Sequence, residues 1–205
     1  NLLMRFYDVT GGKITIDGKD IRTVKRDDLR KLYGMVLQET WLFDGTIMDN
    51  IRYGKLDATD EDVYEASRLS GAEEFIKLLP DGFNTRITEN GENLSGGQKQ
   101  LITIARAILA DPKILILDDS TSAVDTATEA QIRRAFKEEL KDSTKIIIAQ
   151  RISSVKDADY IVVMDDGSIK AIGTHNELLA KNGKYAEMFR RQAENYLGSE
   201  VAENA

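Results

Sequence analysis

The chain is 205 residues long, carries 35 Asp and Glu against 28 Lys and Arg for a formal net charge of −7, and contains no cysteine. That length fits one domain with a sizeable core, the acidic balance argues against a surface that grips nucleic-acid phosphates, and the missing thiols exclude disulfides, thiol catalysis and Cys-based metal sites. His175 is the single histidine, so no His cluster exists for zinc or iron, and the longest uncharged run, Leu32 to Gln38, falls far short of the ~20 apolar residues of a spanning helix.

In chain order, Leu2, Leu3 and Phe6 are spaced as the end of a buried helix, closed by Asp8 and Gly11-Gly12. Lys13 to Thr23 alternates around Asp17-Gly18 and predicts a β-hairpin. Tyr33 to Gln38 predicts a short strand, and about Asp60 to Leu79 a helical stretch broken by Gly71 and ended by Pro80-Asp81-Gly82. A polar, Gly-rich segment, Asn84 to Gly97, leads into a helix with Leu101, Ile104, Ala105 and Ile108 on one face. Ile114 to Leu117 reads as a strand buried on both faces, Thr126 to Lys141 as a helix with Ile132, Ala135, Phe136 and Leu140 inward. Lys145 to Ala149 and Tyr160 to Met164 predict two more buried strands, and Ser168 to Gly173 pairs back across Asp166-Gly167. Helices near Glu177 to Lys181 and Tyr185 to Tyr196 precede a polar tail, 193–205, expected to fray. The fold class is α/β, with a helical insert over about 55–110 and a strand–helix–strand core over 111–192.

Four short segments carry chemistry. Leu94-Ser95-Gly96-Gly97-Gln98-Lys99-Gln100 stands just before a helix. Paired glycines let backbone approach a ligand, the free N–H groups of a helix start favour an anion, and Ser95 can add a hydroxyl donor. The plain structural alternative is a glycine loop with Ser95 as N-cap. Asp118 and Asp119 end the Ile114 strand, where open α/β sheets place ligand chemistry. Asp118 there suits Mg²⁺ held through water and Asp119 the orientation of an attacking water; otherwise the pair is a solvated turn. Gln38, at the end of the Tyr33 strand, can ligate a hard cation or bond a water, or be an ordinary loop residue. Ser122-Ala123-Val124-Asp125 links the acidic strand to the next helix, with Asp125 readable as an N-cap.

In this order and at these intervals the chain resembles the nucleotide-binding domain of ABC transporters, from residue 1 to about 192. The resemblance implies an ABC-type P-loop NTPase fold: a largely parallel sheet core, an antiparallel hairpin region and a helical subdomain. It makes Leu94 to Gln98 the family signature, Ile114 to Asp118 the Walker B strand, Gln38 the Q-loop glutamine and Ser122 to Asp125 the D-loop. Phe6-Tyr7-Asp8, Ile16-Asp17-Gly18, Leu42-Phe43-Asp44-Gly45-Thr46-Ile47 and Gly173-Thr174-His175-Asn176-Glu177-Leu178-Leu179 look like the exporter branch, in which a transmembrane domain precedes the ATPase domain on one polypeptide. Glu89, Asn90 and Gly91 resemble the exporter loop that touches the coupling helices. The implied ligands are ATP and Mg²⁺: Asp118 and Gln38 on the metal, Asp119, Gln150 and Gln38 at the reacting phosphate, and Ser95, Gly96, Gly97, Gln98 and Asp125 on nucleotide. The module is expected at the cytoplasmic face of the cell membrane, with no nucleic acid as partner.

Three departures from the family pattern matter. No Gly-x-x-x-x-Gly-Lys-Ser/Thr is present: Gly12-Lys13, Gly18-Lys19, Gly54-Lys55 and Gly183-Lys184 all lack the upstream Gly and the following Ser or Thr. The sequence is therefore expected to start just after the phosphate-binding loop, and the isolated fragment to bind ATP poorly and be inactive. Asp119 stands where most active members have Glu, and Gln150 where they have the switch histidine. Asp is shorter by about 1.5 Å, and a ~1 Å displacement at a catalytic group can cost ~100-fold. The family pairs two domains head to tail, so a weakened site beside an intact signature resembles one half of an asymmetric heterodimer, whose partner carries the usual Glu and His. His175 belongs to a helix start and is expected to be structural. The alternatives are a soluble ABC ATPase acting on DNA or ribosomes, and a regulatory clamp that binds ATP without hydrolysing it.

Overall fold

The computed structural model describes residues 1–88, 91–121 and 123–203, with only the backbone of 126 and 195–203. Glu89, Asn90 and Ser122, singled out above, lie outside the described residues. The chain divides into two compact units, Asn1–Ile148 and Ala149–Ala205.

Residues 1–7 form turns rather than the predicted helix end, with Arg5 in the left-handed region at φ 53 and Leu2 and Phe6 about half exposed. Two backbone bonds, from Arg5 to Leu2 and from Phe6 to Asn1, do not repay helix nucleation, and Phe6 instead lies under the Arg30 guanidinium, 4.7 Å from the ring centre. The predicted hairpin is present as β1 (Thr15–Ile16) and β2 (Lys19–Asp20). Asp17 and Gly18 both have positive φ, 48° and 79°, which gives the turn the twist that antiparallel strands favour.

After helix α1 (Arg26–Arg30), strand β3 (Tyr33–Val36) enters a three-stranded parallel sheet. Strand β6 (Ile114–Asp118) is its centre, flanked by β3 and β7 (Thr144–Ile148). Central placement explains the unbroken apolar run: Leu115, Ile116 and Leu117 are all buried. Strand β7 is less covered than predicted, half-buried along its length with Ile148 exposed, because among the described residues β6 is its only strand neighbour.

Between β3 and β6 lie β4 (Gly45–Thr46), α2 (Ile47–Arg52), α3 (Asp60–Ser70), α4 (Ala72–Ile76), β5 (Arg86–Ile87) and α5 (Gly96–Ala110). Gly71, at φ 79, ends α3 where the sequence breaks its periodicity. Helix α5 packs on α2, α3, α4 and β3, so it is buried beyond the predicted face: Gln100, Ile102, Thr103, Ala107 and Leu109 join Ile104, Ala105 and Ile108. One continuous apolar core runs from Val36 through these helices to Leu115 and Leu117, and on to Ile132, Ala135 and Phe136 in α6 (Thr126–Glu138) and Leu140 just beyond it.

The second unit holds the antiparallel pair β8 (Ile161–Asp165) and β9 (Ser168–Gly173), then α7 (His175–Ala180) and α8 (Lys184–Glu203). Strand β8 alternates, with Ile161 and Val163 buried and Val162 and Met164 exposed, so it is one-sided and not the predicted buried strand. It packs through one face only, against a small core of Ile152, Leu178 and Tyr185. The backbone of the expected frayed tail is helical as far as Glu203.

Candidate functional site

The carboxyl edge of the parallel sheet gathers three of the sequence candidates. Because Val36 pairs with Leu117 in parallel register, Gln38, two residues beyond Val36, leaves the sheet on the same edge as Asp118 and Asp119. Gln38 is exposed; both aspartates are half-buried. Asp119 turns the chain out of β6 in the left-handed region, φ 44, while its N–H donates to the Ile148 carbonyl at 2.8 Å. Aspartate tolerates that conformation better than most residues. No described hydrogen bond or ion pair engages the Asp118 or Asp119 carboxylates. The donors at this edge are all oxygens, as a hard cation requires, and no cluster of three or more metal-ligating side chains occurs among the described residues. That combination fits Mg²⁺, which takes one or two carboxylates and completes its shell with water and substrate phosphates, and does not fit a dedicated protein cage.

The second gathering is the start of α5. Ser95 is its N-cap: Ser95 Oγ accepts from the Gln98 N–H at 3.2 Å, and Gln98 Oε1 accepts from the Ser95 N–H at 2.9 Å. The plain structural reading of Ser95 therefore holds, and Ser95 and Gly96 remain exposed at the helix start. The two glycines differ. A Cβ on Gly96 would meet nothing within 4 Å, whereas one on Gly97 would lie 2.8 Å from the Ala123 carbonyl oxygen. Gly96 opens space in front of the helix start; Gly97 lets the loop after Asp119 pass close behind it. Gln100, buried in α5, fixes the same loop by accepting from the Ala123 N–H at 3.2 Å. Asp125 closes that loop as the N-cap of α6, accepting from the N–H groups of Ala127 and Thr128 and from the Thr128 hydroxyl. The Thr128 hydroxyl bond is the first cause holding its carboxyl below the usual range.

Past Gln38 the chain forms an open groove lined by Leu37, Glu39, Trp41 and, from α5, Arg106. Arg106 is half-buried, and the acceptors it meets among the described residues are neutral: Nε donates to the Asn50 carbonyl at 2.8 Å, Nη2 to Asn50 Oδ1 at 3.1 Å and Nη1 to the Trp41 carbonyl at 3.3 Å. Burial pushes its pKa down, although an arginine stays charged. Asn50, wholly buried, passes the restraint on by bonding the Phe43 N–H and carbonyl and the Thr46 carbonyl.

Gln150 belongs to the second unit and is exposed. His175 is engaged within that unit, as the sequence implies for a structural histidine: Nδ1 is 2.7 Å from the Tyr185 hydroxyl, and its ring meets Tyr185 and Phe189 edge-on. Gln100, quoted with the glycine segment, Arg106 and Gln192 receive no role of their own from the sequence. Each is a polar residue at a helical position that faces packing, and that mismatch is the signal that would have found them.

Known proteins resemble this chain over most of its length. The family model described as "ABC transporter" matches residues 1–122. The "Fatty acid ABC transporter ATP-binding/permease protein" of Mycobacterium tuberculosis (strain CDC 1551 / Oshkosh) is 52% identical over 190 residues, 93% of this chain and 30% of that protein. The human "Mitochondrial potassium channel ATP-binding subunit" is 50% identical over 194 residues, 94% of this chain and 26% of that protein. A solved structure of a bacterial Atm1-family ABC exporter with ATP bound superposes with a TM-score of 0.89 at 42% identity, over 93% of this chain and 33% of that one. The chain thus spans about a third or less of the length of these relatives. No described helix is long and apolar enough to cross a membrane. With the motif order, the parallel sheet and the signature helix all in agreement, the chain belongs to the ABC transporter family.

Proposed function

We propose that this chain is the ATPase module of an exporter, working at the cytoplasmic face of a membrane and driving a transmembrane domain carried on the same polypeptide. The observation that carries the reading is the shared carboxyl edge: Gln38 and two carboxylates that meet no partner among the described residues leave neighbouring parallel strands together. Asp118 and Gln38 would hold Mg²⁺, which would supply charge neutralisation at the β- and γ-phosphates of a bound ATP. Asp119 holds the attacking water, Gln150 donates a hydrogen bond to the γ-phosphate, and Asp125 orders the loop between the two domains. Ser95, Gly96, Gly97 and Gln98 face a second ATPase domain and complete its nucleotide site. The open space before Gly96 supports that role. The groove at Trp41 and Arg106 receives the membrane helices.

The module's own site is the weaker of two. Asp119 is one methylene shorter than the Glu usual in active members, and Gln150 cannot become charged as a histidine can. The partner accordingly carries Glu and His, and the pair is a heterodimer. Turnover of the full-length pair in lipid tests this. Asp119→Asn is expected to change hydrolysis little, and removal of the partner's catalytic carboxylate to abolish it. The reverse result assigns the competent site to this chain. No ATP-dependent turnover with either site intact favours the regulatory clamp.

A further inference from the structure

Helix α8 presents Tyr185, Phe189 and Gln192 at spacings of four and three, one continuous face. Tyr185 is buried in the small core, and Phe189 lies against His175. The third position is a half-buried glutamine, and its side-chain amide is fully committed at both ends. Oε1 accepts from the Ile152 N–H at 2.9 Å, while Nε2 donates to the Gln150 carbonyl at 2.7 Å. One planar amide thus brackets Arg151 from both sides, as a neighbouring strand would. Beyond it the backbone is closed by its own turn bonds, from the Ser154 N–H to the Arg151 carbonyl and from the Val155 and Lys156 N–H groups to the Ile152 carbonyl. Ile152 starts a single 3-10 turn, Ile152–Ser154, whose N-cap, Arg151, makes no side-chain cap bond. Helix α8 is itself anchored at its start, where Lys184 Nζ lies 2.5 Å from the Asp165 carboxylate and the Tyr185 hydroxyl meets His175.

We infer that Gln192 is a positioning residue for Gln150: by holding the carbonyl of residue 150 and the N–H of residue 152, it sets the direction in which the Gln150 side chain leaves the backbone. The C-terminal helix is thereby part of the γ-phosphate response, 42 residues on from the group that makes the contact. This rests on the reading of Gln150 as the group that senses the γ-phosphate, and the test separates the two.

The test is made on the full-length transporter with its partner in lipid, measuring affinity for a non-hydrolysable ATP analogue and for ADP, which lacks the γ-phosphate. Gln192→Ala is expected to weaken the analogue about tenfold, the effect of one or two ordinary hydrogen bonds, and to leave ADP unchanged. Gln150→Ala should do the same, and the double variant should be no worse than Gln150→Ala alone. Amide exchange at Ile152 should rise in Gln192→Ala without nucleotide. Gln192→Glu, which keeps the acceptor for Ile152 and loses the donor to Gln150, gives the same separation if the alanine variant folds poorly. Equal weakening of both nucleotides, or additive losses in the double variant, overturns the positioning role. Gln192→Ala without effect, beside a Gln150→Ala that separates analogue from ADP, overturns it while the reading of Gln150 stands. Gln150→Ala without effect on the analogue overturns both.

Discussion

At the residue scale, the two glycines of the signature show how adjacent identical residues acquire different reasons. Gly97 is required by the chain's own Ala123 carbonyl; Gly96 faces open space. Gly97→Ala should therefore lower stability by about 1–3 kcal/mol through forced backbone displacement. Gly96→Ala should leave stability unchanged or slightly raised, since alanine favours a helix start more than glycine does. Urea midpoints of the two variants check this. Ser-Gly-Gly was legible in the sequence as a helix start that favours anions, but nothing in it distinguishes the glycines. That distinction needs a loop more than twenty residues further on to come within a few ångströms.

At the scale of elements, helix starts are the most explicit instructions in this sequence. Thr46, Thr59, Ser95 and Thr174 each form a reciprocal capping box with the residue three places on: Asp49, Asp62, Gln98 and Glu177. In three the partner is a carboxylate held below its ordinary value, by the Thr46 hydroxyl first for Asp49 and by the backbone N–H of Thr59 or Thr174 first for Asp62 and Glu177. A depressed carboxylate stabilises fully above its unfolded value, 3.8 for Asp and 4.5 for Glu, and that contribution is lost as pH falls through the lower folded value. Acidification below 4.5 and then 3.8 should weaken the starts of α7, α2 and α3, while α5, capped by an amide, keeps its start. Protection of the cap N–H groups against exchange, relative to intrinsic rates, measures the difference. The signature helix is thus the one of the four whose cap does not titrate. Its other fixed point is Arg106, whose fork reaches Asn50 and Trp41 together. Arg106→Lys retains the charge but cannot span three acceptors, and should cost about 2–4 kcal/mol, read from denaturant midpoints.

At the scale of the whole molecule, the two units differ in how much they bury. The first has a core running from Val36 to Leu140; the second depends on a few side chains, among them Ile161, Val163, Leu178 and Tyr185. Leu178, 1% exposed, is the most enclosed of these. Leu178→Ala should cost about 2–5 kcal/mol and raise amide exchange through residues 149–194, including the Ile152 N–H held by Gln192. Hydrogen exchange followed by fragment mass measurement reads that outcome. The small core makes the second unit the place where packing most directly affects the backbone around Gln150.

By itself, the sequence determined the α/β class, most of the longer strands and helices, the caps at Ser95 and Asp125 and the positions of the chemical groups. These follow from local rules: Asp17-Gly18 and Asp166-Gly167 demand left-handed turns, Ser95 and Gln98 meet across one helical turn, and Ile114 to Leu117 can only be covered on both faces. The short elements α1, β4, α2 and β5 carried too few residues to announce themselves. Residues 1–7 have helical spacing but make turns, and β7 and β8 look like buried strands yet are covered on fewer sides. Only the tertiary structure decided that Gln38 shares an edge with Asp118 and Asp119, that Gln100 and Gly97 bind the loop at Ala123, and that Gln192 holds the backbone beside Gln150. The physical reason is the same in each case. Each brings together groups distant in sequence through backbone atoms, by the strand register at Gln38, by a carbonyl against Gly97 and by N–H and carbonyl groups at Gln100 and Gln192, and a backbone N–H or carbonyl has no residue type by which a sequence could announce it.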